Sequence, residues 1–573
     1  MEVESLDKEQ LLDLIRKDRA REQAVSNILS SIIASLGESP EISRIIDSYF
    51  SFVPLVREVF NENVTVKVGT REYPLKIERG DKEEILNTFY EKVKDQWVIA
   101  VDESQHSDDL IMSKDYFYRG SLAFGMKVSK SSADREKVLA VLSSFRISED
   151  DESIKRKLDL LTYIQNLIVA LYASVLLLSR EESIYALFID GPLIRQLHSF
   201  LFVTFTLDEL KKLFAVDPDV RKYVGNAVWL DRNLRCELFE KRLTVEELAK
   251  GKLLDLMLDS SAYKEMKKRL KLSDEFNIVP EFKKAVLENG EVPGLFVYFF
   301  LLRLLNDLSK KHDFLVCGVV KSPKSKEFIR FYYSFAFAKV GDTNRKFRYK
   351  VYSTGILGLN NDGELKFFKD FLREGKIHEA LESLDFYDDH LLTFALDFDP
   401  TTAFYTTPFE IRRYRSREAN RKEVYEADEE YQVYRTPFGS ANNGLQHFWL
   451  EEILLKSLLP PEKLRFYMAY VRTSDLKFAL RVEFPESAFN RADELCRMVY
   501  LFSSVYRNYG IPVFLKYADN LVRVSTDLIN RLAKGLLKER VIRELLGKTG
   551  GDRDTLEIVK QVIFGMKRDF YSR

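Results

Sequence analysis

The chain reads as a mixed α/β fold (α+β in connectivity): a sheet flanked by helices, with a large helical insertion and a basic, β-rich insertion. Three observations predict this. Two short apolar runs, WVIAVD (97–102) and SIYALFIDGPL (183–193), each carry an aspartate at the strand end, as strands buried on both faces do. A long stretch at helical spacing, about 151–179, lies between them. Further strand-like runs recur from residue 64 to residue 516, so the sheet is assembled from distant segments.

In chain order, residues 1–60 look helical, with Leu11, Leu12, Ile15 and then Ile28, Leu29, Ile32, Ile33 and Leu36 at helical spacing. Residues 64–78 are strand-like, and a short helix carrying Ile85, Leu86 and Tyr90 follows. After the first apolar strand comes FYRGSLAFGMKVS (117–129), a second strand. Residues 200–310 read as mostly helical, and the apolar run 294–305 as a buried helix or strand. Runs 313–321, 327–340, 346–354 and 391–399 read as strands. Residues 400–445 are polar, basic and turn-rich, an exposed insertion or ribbon. RFYMAYVRT (465–473) and FALRVEFP (478–485) form a hairpin, a helix covers about 488–508, and IPVFLK (511–516) reads as a short strand. From 526 the chain is helical and amphipathic. Six segments follow: 1–95, 96–199, 200–310, 311–399, 400–460 and 461–573, with the core drawn from the second, fourth and last.

The bulk numbers bound the function. With 573 residues there is room for three or four domains, or for one core with insertions. Lys and Arg total 88 against 89 Asp and Glu, a net charge of -1, which excludes a uniformly basic, histone-like binder but not a local track of positive charge. Cys236, Cys317 and Cys496 lie far apart, which excludes a disulfide scaffold and a cysteine-rich zinc site. The start is charged and lacks the apolar core of a secretory signal, and the longest apolar run, 167–178, is short of the ~20 residues of a membrane span. The expectation is a cytoplasmic protein with no membrane partner.

Asp102 and Asp190 carry the chemical content. If their strands are neighbours, the two carboxylates converge at one sheet edge, repel one another and raise each other's pKa. A divalent cation relieves that repulsion, and hard oxygen ligands suit Mn²⁺ or Mg²⁺. Such ions activate water and steady the leaving oxygen of a phosphodiester. The plainer reading is that aspartate favours turns after strands, and Asp190-Gly191 is itself a turn signal.

Five segments, in order, resemble motifs of the NurA nucleases. VIAVDESQ (98–105) is similar to their first aspartate motif and LFIDGPLI (187–194) to their second. VCGVVKSPKS (316–325) is similar to the strand that follows, the 465–485 hairpin supplies Arg481, Glu483 and Pro485 in the family's R-x-E-x-P pattern, and YGIPVFLKYAD (509–519) is similar to the closing motif. The resemblance covers about 230 residues. It implies an RNase H-like (PIWI-like) core and a Mn²⁺- or Mg²⁺-dependent DNA nuclease that forms a homodimer and works with the hexameric ATPase HerA in archaeal DNA-end resection. By position, Asp102, Asp190 and Asp519 would bind metal, Lys321 would hold the scissile phosphate, and Arg481 would approach nucleic acid. The sequence departs from the family at Glu103, where a glycine is expected, at Ile511, where a tyrosine is, and at Asp519, where a histidine is. The family's glutamate on the helix before the second aspartate falls at Gln165 or Asn166, and Glu103 is a candidate substitute ligand.

Arg412, Arg413, Arg415, Arg417, Arg421 and Lys422 surround Tyr414, a pattern suited to phosphates and a stacked base, or to a solvated strand face paired with the acids at 426–430. Lys324 and Lys326 follow Lys321 and extend the same positive stretch. GKTGG (547–551) lacks the upstream glycine of a phosphate-binding loop and reads as a helix cap and turn, so ATP-driven movement belongs to a partner. The six histidines show no zinc spacing; His106, four residues after Asp102, reads as a loop residue, and Ser104 with His106 lacks a third member for a triad. Two other readings stand beside the nuclease: a nuclease-fold scaffold without catalysis that clamps DNA or regulates a translocase, and an RNA-processing enzyme of the same fold.

Overall fold

The computed structural model describes residues 65–193, 235–321 and 466–523, each with short breaks, together with 200–214 and 387–410. A hairpin of β1 (Thr65–Val68) and β2 (Arg71–Pro74) precedes β3 (Ile77–Asp81) and α1 (Lys82–Val93). Asp81 caps α1, its carboxylate accepting from the Glu84 amide at 2.9 Å, which satisfies one of the helix's open donors. There follow β4 (Trp97–Ile111), β5 (Lys114–Lys127), β6 (Glu136–Glu149), α2 (Glu152–Leu178) and β7 (Ile184–Asp190). Between β7 and β12 lie β8 (Thr204–Phe205), α3 (Leu207–Phe214), β9 (Arg235–Leu238), β10 (Lys241–Thr244), α4 (Lys252–Asp259), α5 (Ser261–Lys271), α6 (Pro280–Leu287), β11 (Val292–Pro293) and α7 (Gly294–His312). The chain returns to the sheet with β12 (Leu315–Val320), α8 (Asp388–Ala395), β13 (Thr402–Thr406), β14 (Phe409–Glu410), β15 (Phe466–Arg472) and β16 (Leu480–Pro485). A 3₁₀ turn (Glu486–Arg491) leads into α9 (Ala492–Ser503) and then α10 (Val513–Val522).

Ten of these strands form one sheet in the order β3-β13-β15-β16-β12-β7-β4-β5-β6, with β14 paired to β15. β4, β5 and β6 are an antiparallel meander, β7 runs parallel to β4, β12 parallel to β7, and β16 antiparallel to β12. The sheet is therefore a mixed one flanked by helices, built from segments as far apart as Ile77 and Pro485, as the scattered strands predict.

Alternation sorts the central strands onto two faces. Ile99, Val101, Leu187, Ile189 and Val316 pack with α2 and α7 in one apolar cluster. Val98, Ala100, Ala186, Phe188, Cys317 and Val319 pack with α9 and α10 in the other. Both faces of β7 and β12 are buried, which is why their sequences are apolar without alternation. The segment Lys155–Leu178 of α2 is long and apolar enough to cross a membrane, but its apolar stretch is mostly buried in this fold, so its apolarity is explained by a core position.

Five elements differ from the sequence reading. β4 does not stop at Asp102 but runs to Ile111, so His106 lies in a strand rather than a loop, and β6 was not foreseen. Run 391–399, read as a strand, carries the helix α8, whose Leu392, Ala395 and the following Leu396 are buried at helical spacing. Run 511–516, also read as a strand, opens α10, where Val513, Phe514, Ala518 and Val522 form the buried stripe. In both cases a short apolar run is ambiguous, because burial on all sides erases the periodicity that separates helix from strand. The segment 400–445, read as an exposed insertion, opens instead with β13, which is buried in the main sheet between β3 and β15. The rest of that segment from 411, runs 327–340 and 346–354, residues 1–60 and the segment after 526 lie outside the described residues.

Candidate active site

The register of the central strands brings the two aspartates together. Val101 of β4 is paired with Ile189 of β7, so Asp102 and Asp190 stand side by side at the C-terminal ends of two parallel strands. Both alternate onto the α9/α10 face, following Ala100 and Phe188. Val319 of β12 pairs with Asp190, and Lys321, two residues on, falls on the same face one step beyond. Its ammonium group donates to Asp190 Oδ2 at 2.9 Å.

Asp102 is 2% exposed, and this number decides its chemistry. Its Oδ1 accepts from the Glu103 amide at 2.7 Å, whereas Oδ2 is buried without a hydrogen-bond partner. Burial first, and the neighbouring Asp190 second, push its carboxyl up to about 9, so it keeps a proton at neutral pH. Burial works against the Lys321 ammonium, but Asp190 and Asp102 outweigh it and hold its pKa above the ordinary lysine range. With Asp102 protonated, Lys321 balances Asp190; a divalent cation would displace that proton, and two adjacent carboxyl groups are a donor set that fits a hard one.

The turn after Asp190 is set by two glycines. Gly191 has φ of 92°, and its amide donates to Val319 O at 2.9 Å, tying the turn to β12. A Cβ on Gly318 would lie 2.6 Å from Gly191 O and 2.9 Å from Leu193 N, so only glycine lets the turn close over β12.

The other expected residues are placed differently. Asp519 lies on α10, on the same face, and lends charge to Lys321. Its carboxylate is already engaged, by Lys516 at 2.7 Å and Arg523 at 2.6 Å. Burial would raise its pKa, but these two cations hold it below the ordinary aspartate value. Among the described residues, no group of three or more His, Cys, Asp or Glu side chains is arranged to hold a metal ion. Glu103 alternates to the opposite face, where its Oε2 accepts from Asn166 of α2 at 2.6 Å and its Oε1 from Gln105 at 3.0 Å. It does not join the aspartates, and Gln165 and Asn166 are buried on that same opposite side. Arg481, expected near nucleic acid, is instead buried and ion-paired with the buried Glu483 at 2.7 Å, again on the α2/α7 face. Lys324, Arg412, Arg413, Tyr414 and Arg415 lie outside the described residues.

Two parts of the site escaped the sequence reading. In the sequence Gly191 shows only as the turn signal Asp190-Gly191, and Gly318 only as a glycine within VCGVV. Tyr118 lies beyond Asp102 on the α9/α10 face, on β5; nothing in its spacing singles it out.

Comparison with known proteins gives the same family as the ordered motifs. The NurA domain matches residues 415–524, a stretch that contains β15, β16, α9 and Asp519 but not Asp102, Asp190 or Lys321. No curated protein matches the chain. Among solved structures, the NurA nuclease from Sulfolobus solfataricus is similar at 11% identity and a TM-score of 0.33, covering 82% of this chain and 95% of that one. A NurA structure bound to dAMP and manganese is similar at 10% identity and a TM-score of 0.33, covering 91% and 97%. A NurA structure with manganese is similar at 12% identity and a TM-score of 0.29, covering 85% and 95%. Residues 415–524 are thus similar to the NurA domain, the family whose motifs the ordered segments resemble.

Proposed function

We propose that the protein is a divalent-metal-dependent DNA nuclease that hydrolyses phosphodiester bonds. The observation that carries this reading is the pairing of Asp102 and Asp190 at adjacent strand ends, with a buried open oxygen on Asp102 and Lys321 beside them. The strand order β12-β7-β4-β5-β6, a meander extended by two parallel strands, supports an RNase H-like description of the core. The manganese and dAMP of the similar NurA structures favour Mn²⁺ and a nucleotide substrate, with Mg²⁺ as the second candidate.

Asp102 and Asp190 would hold the ion, which when bound supplies Lewis-acid activation of water and stabilises the leaving oxygen. The chain's own contribution is to orient and to balance charge. The strand register fixes the two carboxylates, and the Gly191 turn locks Asp190 against β12. Lys321, charged at neutral pH and anchored on Asp190, is positioned to meet a phosphate oxygen. Burial of Asp102 keeps bulk water from the inner side of the pair. Asp519, held by Lys516 and Arg523, places two cations beside the site, where a DNA backbone would need them. Action at DNA ends with a HerA-type hexamer, as a homodimer in the cytoplasm, belongs to the same proposal and rests on the resemblance to NurA.

The test is digestion of linear DNA by the purified protein with Mn²⁺. Cleavage is expected, with a loss of at least about 10³-fold in Asp102→Asn. Equal cleavage by the two proteins would remove Asp102 from the mechanism. One specific arrangement favours a second reading: a glutamate equivalent is missing from α2 and Asp519 is already paired, so among the described residues the sheet edge gathers Asp102 and Asp190 without a third ligand. A scaffold that clamps DNA without cutting it would bind DNA and show no Mn²⁺ heat in calorimetry.

A further inference from the structure

β4 and β5 extend past the aspartates, and the face that carries Asp102 continues along them. Alternation puts Ser104 and His106 on that face of β4, and Leu122, Gly120 and Tyr118 opposite them on β5. Ser104 is paired with Gly120 and His106 with Tyr118. The His106 and Tyr118 rings are near-parallel, 23° apart with centroids at 6.1 Å, and both are half-buried.

Their orientation is set by two neighbours. Ser104 Oγ lies 3.1 Å from His106 Nε2 and fixes the imidazole. The Tyr118 ring leans back along β5 over Gly120: a Cβ there would lie 2.6 Å from the phenol oxygen and 3.1 Å from the ring carbon that bears it. Gly120 therefore frees the surface over which the ring lies, and the lean carries the ring towards the aspartates. Gly120 stands opposite Ser104, two residues beyond Asp102, so the ring reaches a level about 7 Å from Asp102 along the strand. A ring pair locked by packing and a hydrogen bond is preorganised for a flat ligand.

We propose that His106 and Tyr118 are a base-stacking platform, and that they hold the base of a nucleotide next to the phosphate cleaved at Asp102 and Asp190. The ligand is one unpaired base of a single-stranded or frayed DNA segment, added as the next layer on the two rings. Stacking of this kind tolerates any base, because each presents a π-face. The platform would fix the register of the strand, so that the phosphodiester rather than the sugar meets the carboxylates. This inference rests on the nuclease reading of the site, and it adds how the strand is positioned there.

The experiment uses full-length protein and single-stranded oligonucleotides carrying one 2-aminopurine at successive positions. Wild type is expected to quench the probe at one position. Tyr118→Leu should lose that quench and bind DNA about tenfold more weakly. Tyr118→Phe should keep both, because the ring and not the hydroxyl stacks. Mn²⁺ affinity by calorimetry and the melting temperature should be the same in all three. Unchanged quench and affinity in Tyr118→Leu overturns the platform, as does a Tyr118→Phe protein as defective as Tyr118→Leu. A Tyr118→Leu protein with altered Mn²⁺ affinity or melting overturns it too, by showing a structural role. If wild type cuts no DNA but quenches the probe in a Tyr118-dependent way, the platform stands and the nuclease reading fails. If wild type cuts DNA and Tyr118→Leu is indistinguishable from it, only the platform fails.

Discussion

The two faces of the central sheet use the same strands and reach opposite electrostatic solutions. On the α2/α7 face the polar groups close on one another: Glu103 with Asn166 and Gln105, and Arg481 with Glu483. On the α9/α10 face, one residue away along β4, Asp102 keeps an open buried oxygen and a carboxyl pushed up to about 9. The difference shows that burial alone does not mark a functional group. A buried ion pair is balanced in charge by its own partner, whereas two carboxyl groups packed side by side can ionise together only with an added cation.

That contrast can be broken from the quiet side. Arg481→Ala leaves Glu483 buried without its guanidinium, and the expected cost is about 3–5 kcal/mol in denaturant unfolding, with Mn²⁺ affinity unchanged in the protein that remains folded. A drop in metal affinity larger than the loss of folded protein would show that the two faces are coupled.

A smaller effect is expected where the faces meet. Gly318 belongs to β12 on the α2/α7 side, yet the space above it is filled by the turn that holds Asp190. Gly318→Ala must push Gly191 O outward, costing about 1–3 kcal/mol in stability. The displacement carries to Asp190, and cleavage should fall by about 10–100-fold with KM little changed. A Gly318→Ala protein with wild-type kcat would mean that the turn yields without moving the carboxylate.

The smallest effect concerns the far end of the α9/α10 face, where the start of β7 places Tyr185 rather than Asp190. Here Glu494 of α9 is held by Arg491 at 2.9 Å and by the Tyr185 hydroxyl. Burial would raise its pKa, but Arg491 and Tyr185 outweigh it and hold it at about 2, against an ordinary value of 4.5. The folded state therefore binds this proton less readily than the unfolded chain. The stabilisation is fully present above pH 4.5 and is lost as pH falls from there towards 2. Glu494→Gln should flatten the acid limb of the stability curve by about 2 kcal/mol over that window. A mutant whose acid limb parallels that of wild type would remove Glu494 as its source.

Much of the core was legible because its strands are short, apolar and punctuated. The meander start at Trp97, the second aspartate strand, α2 and the β15–β16 hairpin all follow from local pattern. The two misread elements, α8 and the start of α10, are apolar runs too short to show a period. The aspartates were legible for the same reason as their strands: each is the first polar residue after a buried run. Glu103 and Arg481 were not, because a sequence gives the parity of a residue but not which side of the sheet its neighbours occupy.

By itself, the sequence determined the mixed α/β class, the two strand-end aspartates and the family motifs in order, since each depends on residues close along the chain. Tertiary structure decided what those residues face. Parallel pairing of Val101 with Ile189 set the aspartates side by side, and alternation along β12 added Lys321 to them. The same alternation sent Glu103 to α2 and extended the active face through Ser104 and His106 to Tyr118. The physical reason is the two-residue period of a strand: a shift of one position changes the face, and only the register between distant strands says which charges share it.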